Sequence, residues 1–140
     1  MNLAVLIGRL VRDPELRYIA HTGTPVATFT LAVDRGLSKQ KKQEAKSKGL
    51  PTADFINIVV WNKQAETVAQ YLRKGKLAAV QGSIQTRSYE AKDGTRRYIT
   101  EILANRVLIL EWSNNQVEDL DYENYDPNDF TNDFGDDVPF

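Results

Sequence analysis

The clearest structural pattern of the sequence is found in residues 54–75, DFINIVVWNKQAETVAQYLRKG. A strand pattern is followed there directly by a helix pattern, and this order gives the strongest indication of the fold. In the first part, Ile56, Ile58 and Val60 occupy every second position, which is the period of a β-strand with one apolar face. The opposite face carries two aromatic rings, an amide and a valine. The strand is therefore predicted to bury one face in a core and to present a second face rich in aromatic side chains.

The second part of the stretch has the spacing of an amphipathic helix. Its apolar residues recur at i, i+3, i+4 and i+7, which forms a single apolar face: Ala65, Val68, Ala69 and Leu72. Asn62 is predicted to cap the start of this helix, and Gly75 is predicted to end it.

Strand patterns lie on both sides of this strand–helix unit. Residues 2–11, NLAVLIGRLV, are apolar around an internal glycine, which predicts a bent or bulged strand. Residues 26–34, VATFTLAVD, alternate as a strand does. Residues 36–52, GLSKQKKQEAKSKGLPT, are predicted to form a polar, lysine-rich loop. Residues 76–91 and 95–110 are predicted to form two long strands joined by the turn KDG.

The order of these elements predicts the fold class. The predicted order is three strands, one short helix and two long strands, which makes an all-β domain with one helix. The first of the two long strands is predicted to be kinked at Gly82. A five-stranded β-barrel with its helix between the third and fourth strands is the OB-fold arrangement. The alternative is an open sheet with one helix packed on it.

The charges of the chain are divided between two parts. Residues 1–112 hold all 18 Lys and Arg and 10 of the Asp and Glu, a formal charge of +8, whereas residues 113–140 hold the other 9 acids and no base. This asymmetry is typical of a nucleic-acid-binding body with an acidic tail, although both parts could simply be solvated surface. The tail, rich in Asn and Asp, is predicted to be disordered, after a single domain of residues 1–112.

The composition excludes several kinds of site. The chain has no cysteine and a single histidine, His21, so disulfides, thiolate chemistry and ordinary zinc sites are excluded. Phosphate-binding loops and nucleophile elbows are absent from the sequence, and the acids cluster in the tail rather than in the body, where a metal-dependent nuclease would need them. The chain is predicted to be no enzyme, to use no metal or cofactor, and to have no segment that crosses a membrane.

Aromatic and basic side chains interleave on the predicted strand faces. Phe55 and Trp61 share the second face of their strand, Arg87 and Tyr89 share a face of the next strand, and Arg96 shares a face with a tyrosine on the last. Single-stranded nucleic acid is bound by this combination, because bases stack on rings while phosphates pair with cations. The alternative is a strand that is buried on both sides, with its rings packed in a core.

The sequence resembles the bacterial single-stranded DNA-binding protein family. The resemblance rests on NLAVLIGRLVRDPELRY, GTPVATFTLAVDR, ADFINIVVWNKQAETVAQYLRKG, VQGSIQTRSYEAKDGTRRYITEILA and the closing DDVPF, and covers nearly the whole body and the tip of the tail. It implies an OB-fold, a homotetramer, and sequence-tolerant binding and protection of single-stranded DNA in replication, recombination and repair. It also implies a cytoplasmic protein, of cellular or phage origin, that associates with the nucleoid at replication forks.

The resemblance implies which residues contact DNA. Three aromatic residues match base-stacking positions of the family: Phe55, Trp61 and Tyr89. Four cations fall where the family lines its DNA path: Lys63, Arg73, Lys74 and Arg87. The other candidates for phosphate contacts, taken from position and charge, are Arg9, Arg17, Arg35 and Arg96. A further aromatic expected after AVDR has no match, since Leu37 is the nearest apolar residue there, and the lysine-rich segment 36–52 could replace stacking by charge.

The resemblance also implies a docking role for the tip of the tail. Helicases, nucleases and recombination mediators would bind its last five residues, Asp136, Asp137, Val138, Pro139 and Phe140. The chemistry agrees, because Phe140 offers a ring and a carboxylate while Pro139 lowers the entropy cost of ordering. The partner would need an apolar pocket with a basic rim. The rival reading is an adaptor of the same fold, which would bind DNA modestly and would not need this tip.

Overall fold

The structure is a computed structural model in which residues 1–111 are described. The predicted tail from residue 113 onward, including the docking tip, lies outside the described residues. Within residues 1–111 the elements follow one another as β1 Ala4–Leu10, β2 Glu15–Tyr18, β3 Pro25–Asp34, α1 Lys39–Ser47, β4 Ala53–Trp61, α2 Lys63–Tyr71, β5 Leu77–Glu90 and β6 Arg96–Ile109.

Five strands close into a barrel. Around the sheet the order is β1, β5, β6, β4 and β3, and a pairing between β1 and β3 completes the ring. β1 pairs with β5 along residues 4–9 and with β3 at Arg9 and Leu10, so that one strand joins both ends of the sheet. β4 and β6 form the parallel pair, and β2 is added at the free side of β3. The predicted OB-fold barrel is confirmed, and the open sheet is excluded.

Gly82 in β5 and Gly8 in β1 lie where the backbone of a neighbouring strand comes very close. The pairing of β5 with β6 shifts register between Gln81 and Gly82, where a Cβ on Gly82 would collide with the carbonyl oxygen of Leu103. A Cβ on Gly8 would press on the backbone of Ala32, close to the point where β1 changes partners. The predicted kink at Gly82 is therefore confirmed, whereas β1 pairs with β5 from Ala4 to Arg9 without a register shift, so the bend or bulge predicted for the first strand stays a prediction.

The inward faces of the strands and one face of α2 fill the barrel. The strand and the helix formed by residues 54–75 both contribute to this core, as predicted. The following residues are buried in it: Ile58, Val60, Ala65, Val68 and Leu72. Ile56 is partly buried against the same cluster. Burial of a branched apolar side chain of this size contributes about 1.5–3 kcal/mol, so this cluster holds α2 against the end of the barrel.

The ends of α2 differ from their prediction. Asn62 occupies the N-cap position, but its side chain makes no capping hydrogen bond, and its φ of 63° lies in the left-handed region. The chain turns directly from β4 into α2 here, and the ψ of −145° at Asn62 places it in a positive-φ region that residues other than glycine rarely adopt. The helix ends at Tyr71, before Gly75, because Leu72 turns into an extended conformation and buries its side chain. Arg73 Nη1 donates to two carbonyl oxygens at this end, at 2.6 and 2.7 Å.

Two elements contradict the predicted order. Residues 39–47, inside the predicted loop 36–52, form α1, whose start is capped by the Ser38 hydroxyl accepting from the Lys41 N–H at 3.3 Å. α1 buries none of its residues, so no apolar period marks it in the sequence, although Lys, Gln, Glu and Ala are good helix formers. Residues 15–18, which lie outside every predicted strand, pair with β3 as the short strand β2.

Candidate nucleic-acid interface

One continuous outer face crosses the strands of the barrel. Register partners in a sheet share a face, and alternate residues of each strand do the same. On β4, Trp61 is the partner of Val26, and Phe55 is the partner of Ala32. Val26 in turn pairs with Arg17 of β2. Two of the predicted stacking rings and one predicted cation therefore lie on the same side of the sheet.

β6 and β5 continue this surface. Leu103 of β6 is the parallel partner of Val59. At successive alternate positions along β6 three residues face three residues of β5, namely Glu101 with Gln85, Ile99 with Arg87 and Arg97 with Tyr89. We call the side of the sheet that these register pairs share the outer face. It consists of the following residues: Glu15, Arg17, Val26, Thr28, Thr30, Ala32, Phe55, Asn57, Val59, Trp61, Gln85, Arg87, Tyr89, Arg97, Ile99, Glu101 and Leu103.

The aromatic rings of the outer face are held firmly. Phe55, Trp61 and Tyr89 are each half-buried. Trp61 packs against a small second cluster formed by Val26 and Val59, both of which are almost fully buried. The alternative prediction was that this strand is buried on both sides. On β4 it holds at Val59, which is buried on the outer face, but not at Phe55 and Trp61, which are only half-buried. Partial burial restricts the rings while leaving part of their surface open, which suits a stacking platform.

A buried carboxylate orders the basic part of this face. The Glu101 side chain has no exposed area, and its Oε1 accepts from Arg87 Nε at 3.1 Å and from Gln85 Nε2 at 3.0 Å. A buried charge needs such partners, because its desolvation costs several kcal/mol. Arg87, whose side chain is 16% exposed, is consequently fixed in one orientation on the outer face.

Sequence reasoning missed Glu101, although a signal was available. The turn KDG at the tip of the β5–β6 hairpin sets the register of the two strands, and this register brings Glu101 opposite Gln85. An acid that interrupts a basic and apolar strand, opposite polar residues of its neighbour, indicates a buried polar network.

The same register separates two neighbouring arginines. Arg97, not Arg96, is the partner of Tyr89 and lies on the outer face. Arg96 lies on the opposite side of the hairpin, where its Nη2 donates to Ser88 Oγ at 2.9 Å. Arg97 lies 3.9 Å from a carboxylate oxygen of Asp93 in the hairpin turn. The structure therefore groups Arg97 with the predicted rings and does not group Arg96 with them.

The other predicted cations are positioned by several different parts of the fold. Lys63 begins α2 two residues after Trp61, and Lys74 lines a cleft beside Asp13. Arg9 forms an ion pair with Glu111 at 2.9 Å. Arg35 forms an ion pair with Asp54 at 2.9 Å, next to Phe55 in the chain. Arg73 is exposed but donates to the end of α2, as described above.

The lysine-rich helix α1 is tethered near the start of β4. Asp34 Oδ1 accepts from the Gly36 N–H at 2.7 Å, and Asp34 Oδ2 accepts from Lys42 Nζ at 3.0 Å. These contacts, the Gly36 N–H first, lower the pKa of the Asp34 carboxyl. A lowered pKa means that the stabilising contact is present at neutral pH and is lost as the pH falls through that pKa. Lys42 of α1 is therefore held beside the start of β4, because Asp34 pairs with Ala53, two residues before Phe55.

Other kinds of site find no support in the described part of the chain. In residues 1–111, no three His, Cys, Asp or Glu side chains come together as a metal site would require. Neither of the two described helices is long and apolar enough to cross a membrane.

These features define a class of protein. A closed OB-fold barrel with rings and cations on one outer face is typical of proteins that bind single-stranded nucleic acid. Residues 1–110 match the model of the single-strand binding protein family. The chain belongs to this family, which confirms the resemblance found in the sequence and the prediction that the chain is not an enzyme.

Close relatives carry matching names. The chain is 52% identical to "Single-stranded DNA-binding protein 2" of Clostridium acetobutylicum over 141 residues, which cover both chains completely. It is 60% identical to "Single-stranded DNA-binding protein" of Clostridium tetani over 116 residues, or 83% of this chain and 74% of the relative. It is 50% identical to the protein of the same name from Bacillus cereus over 127 residues, or 91% and 70%.

Proposed function

We propose that the protein binds single-stranded DNA along its outer face, with little dependence on sequence, and protects it during replication, recombination and repair. The observation that carries the proposal is that three half-buried rings, Phe55, Trp61 and Tyr89, share one face with Arg17 and Arg87. The names of the relatives support the same ligand. The proposal includes a cytoplasmic location with the nucleoid, at replication forks.

The chemistry of the outer face explains how such binding would tolerate sequence. Every base has a π-face, so stacking on a ring does not depend on which base is present, and in proteins of this kind it contributes about 1–3 kcal/mol per base. Phosphate contacts are likewise independent of sequence. Arg87, held by Glu101, provides a cation that does not need to be ordered when DNA binds, which reduces the entropy cost of the complex.

Replacing Phe55 with alanine tests the stacking role. We expect the dissociation constant for oligo-dT to rise about 5- to 150-fold, the equivalent of one lost stacking contact. The dependence of affinity on salt concentration should be unchanged, because this dependence reports phosphate contacts. The measurement is a titration followed by fluorescence anisotropy at two salt concentrations.

A matched aromatic control is available for this test. Tyr98 is 77% exposed and alternates to the side of the hairpin away from the outer face. Tyr98→Ala should leave the dissociation constant within about twofold. If both substitutions weakened binding equally, the assignment of the DNA path to the outer face would be wrong.

The proposed homotetramer is supported by a second exposed surface. Leu3, Val5 and Ile7 are 57%, 64% and 55% exposed, and Leu108 and Leu110 of the neighbouring β6 end are also exposed. Within the described residues, β1 pairs with β5 along one edge and with β3 only at its last two residues along the other, so the edge that faces away from β5 has no strand partner along residues 4–8. Exposed apolar patches and open strand edges of this kind are normally covered, and isologous contacts between copies would cover both features here.

A charge placed on that surface tests the assembly. Ile7→Glu should convert the oligomer to monomers or dimers in sedimentation velocity, because a carboxylate would be buried in an apolar contact. Leu50→Glu is the control, since Leu50 is also 57% exposed but lies between α1 and β4 and not on β1. A wild-type protein that sediments as a monomer at micromolar concentration would contradict the proposal.

We further propose that the tip of the tail, residues 136–140, docks helicases, nucleases and recombination mediators. The sequence of the tip supports this role, because Pro139 and the ring of Phe140 follow the two acids Asp136 and Asp137. Deletion of Phe140 should reduce the affinity of the full-length protein for a purified partner helicase at least tenfold. The affinity for oligo-dT should remain unchanged. Equal partner binding with and without Phe140 would contradict this role.

A further inference from the structure

A small apolar cluster lies on the outer face, separate from the core inside the barrel. Its centre is formed by Val26 of β3 and Val59 of β4, which are 1% and 0% exposed. Three partly buried apolar side chains pack against these two valines, namely Ile19, Trp61 and Ile99. We call these three side chains the apolar strip. Because the solvated face of a sheet is normally polar, apolar side chains gathered there call for an explanation.

The sheet and one turn hold two members of the apolar strip in place. Trp61 lies opposite Val26 at the end of β4. Ile19 follows β2, and its N–H donates to the carbonyl oxygen of Thr24 at 2.9 Å. The carbonyl oxygen of Ile19 accepts from the Gly23 N–H at 2.7 Å, which closes the turn between β2 and β3. This part of the strip is therefore preformed, and a bound base would not have to order it.

The third member, Ile99, lies next to cations of the outer face. It is the register partner of Arg87, whose Nε donates to the Glu101 carboxylate at 3.1 Å. Arg97 precedes Ile99 by two residues and shares its face of β6. Arginine side chains of this kind pair with phosphates. A phosphate bound by Arg87 would bring its nucleotide to the cluster on which both Ile99 and Trp61 pack.

The chemistry of the apolar strip selects one group among the bases. Ile19 and Ile99 each keep part of their surface exposed, and their side chains neither donate nor accept hydrogen bonds. A polar base edge placed against them would lose water without gaining a partner, which is unfavourable. An apolar group would be stabilised there instead. Among the four DNA bases, thymine carries such a group, the methyl at C5.

We propose that the apolar strip is a subsite for thymine, in which the base stacks on Trp61 and its C5-methyl group packs against Ile99, with Ile19 completing the apolar surface. The inference rests on the proposed function, because the strand must first bind to the outer face. It adds a modest preference for thymine to binding that is otherwise sequence-tolerant. Uracil, which lacks the methyl group, would lose this contact.

The test compares short oligo-dT and oligo-dU of equal length on the full-length protein. The two ligands have the same sugar and charge and differ only in the C5-methyl group. We expect the wild-type protein to bind oligo-dT at least about fourfold more tightly, the value of one buried methyl group. Ile99→Thr retains a β-branched side chain and replaces apolar surface with a hydroxyl. It should lower the affinity ratio about two- to fourfold and change the affinity for oligo-dU by less than about twofold.

Two further substitutions serve as controls. Ile84→Thr makes the same chemical change at a residue that is 49% exposed and alternates to the side of the hairpin away from the outer face. It should leave the ratio of the two affinities unchanged. Ile99→Val keeps an apolar, β-branched side chain on the strip, and it should therefore retain most of the wild-type ratio.

The ratio of affinities separates recognition of the methyl group from a structural role. If Ile99→Thr weakened the binding of oligo-dT and oligo-dU equally, Ile99 would only support the Trp61 ring, and the subsite would be wrong. Equal binding of the two ligands by the wild-type protein would also overturn it. If Ile99→Thr did not fold, Ile19→Thr would decide, with a lowered ratio expected and an unchanged ratio against the subsite. A wild-type protein that bound neither ligand would instead contradict the proposed function itself.

Discussion

Replacing Glu101 with alanine is expected to lower the free energy of unfolding by about 3–5 kcal/mol, because it breaks a buried ion pair by removing one partner. The Glu101 carboxylate accepts hydrogen bonds from both Arg87 and Gln85, and Arg87 would lose the group that orients it. Single-strand binding should weaken along with stability, since a cation of the outer face is no longer held in place. Chemical denaturation and an oligo-dT titration at a temperature where the variant is folded measure the two effects.

Two further variants separate the contributions of Glu101. Glu90→Ala removes an exposed carboxylate from the same hairpin and should change stability by no more than about 0.5 kcal/mol. Glu101→Gln retains an acceptor oxygen and should lose less stability than Glu101→Ala. A Glu101→Ala protein as stable as Glu90→Ala would show that the buried pair does not hold the hairpin together.

Substituting alanine for Gly82 is expected to cost more than about 3 kcal/mol or to prevent folding, which is beyond the usual cost of overpacking. The new Cβ would collide with the carbonyl oxygen of Leu103, which is backbone and cannot rotate away. Relief would require β5 and β6 to separate at the register shift that lets β5 bend around the barrel. Thermal unfolding monitored by circular dichroism measures the loss.

Gly94 is a matched control for this substitution. It lies in the β5–β6 turn with a φ of +83° and with open space around the position of a Cβ. Gly94→Ala should therefore cost only the roughly 1–2 kcal/mol of a left-handed backbone conformation. If Gly82→Ala cost no more than Gly94→Ala, the close approach of the two strands would not be what restricts position 82 to glycine.

The barrel was predictable because its elements have clear local patterns. The apolar alternation of residues 54–61 and the helical spacing of residues 63–72 bury the side chains that were expected to be buried. The glycine at position 82 marked the kink because a strand interior rarely tolerates glycine without a reason. Each of these signals reports core packing, which is the part of a structure that periodicity encodes.

The structure differs from the sequence predictions in two situations. In the first, an element forms without burying side chains, and in the second, the strand register determines which face a residue occupies. α1 packs no side chain into the core, so only helix propensity and the Ser38 cap favour it, and the segment was interpreted as a loop. Register, and not composition, decides that Arg97 joins the outer face while Arg96 leaves it, since a shift of one residue reverses the face. The predicted cap at Asn62 was also wrong, because a capping residue normally has an extended backbone with negative φ, whereas Asn62 has a φ of 63° and its side chain makes no capping hydrogen bond.

The proposed function requires that bases stack on the rings of the outer face, and the fluorescence of Trp61 reports this contact without a label. The chain has two tryptophans, Trp61 and Trp112, so a Trp112→Phe protein reports on Trp61 alone. Titration of that protein with long oligo-dT should quench its emission strongly and saturate at a fixed ratio of nucleotide to protein, at both low and high salt. Saturable DNA binding that left Trp61 emission unchanged would contradict the account.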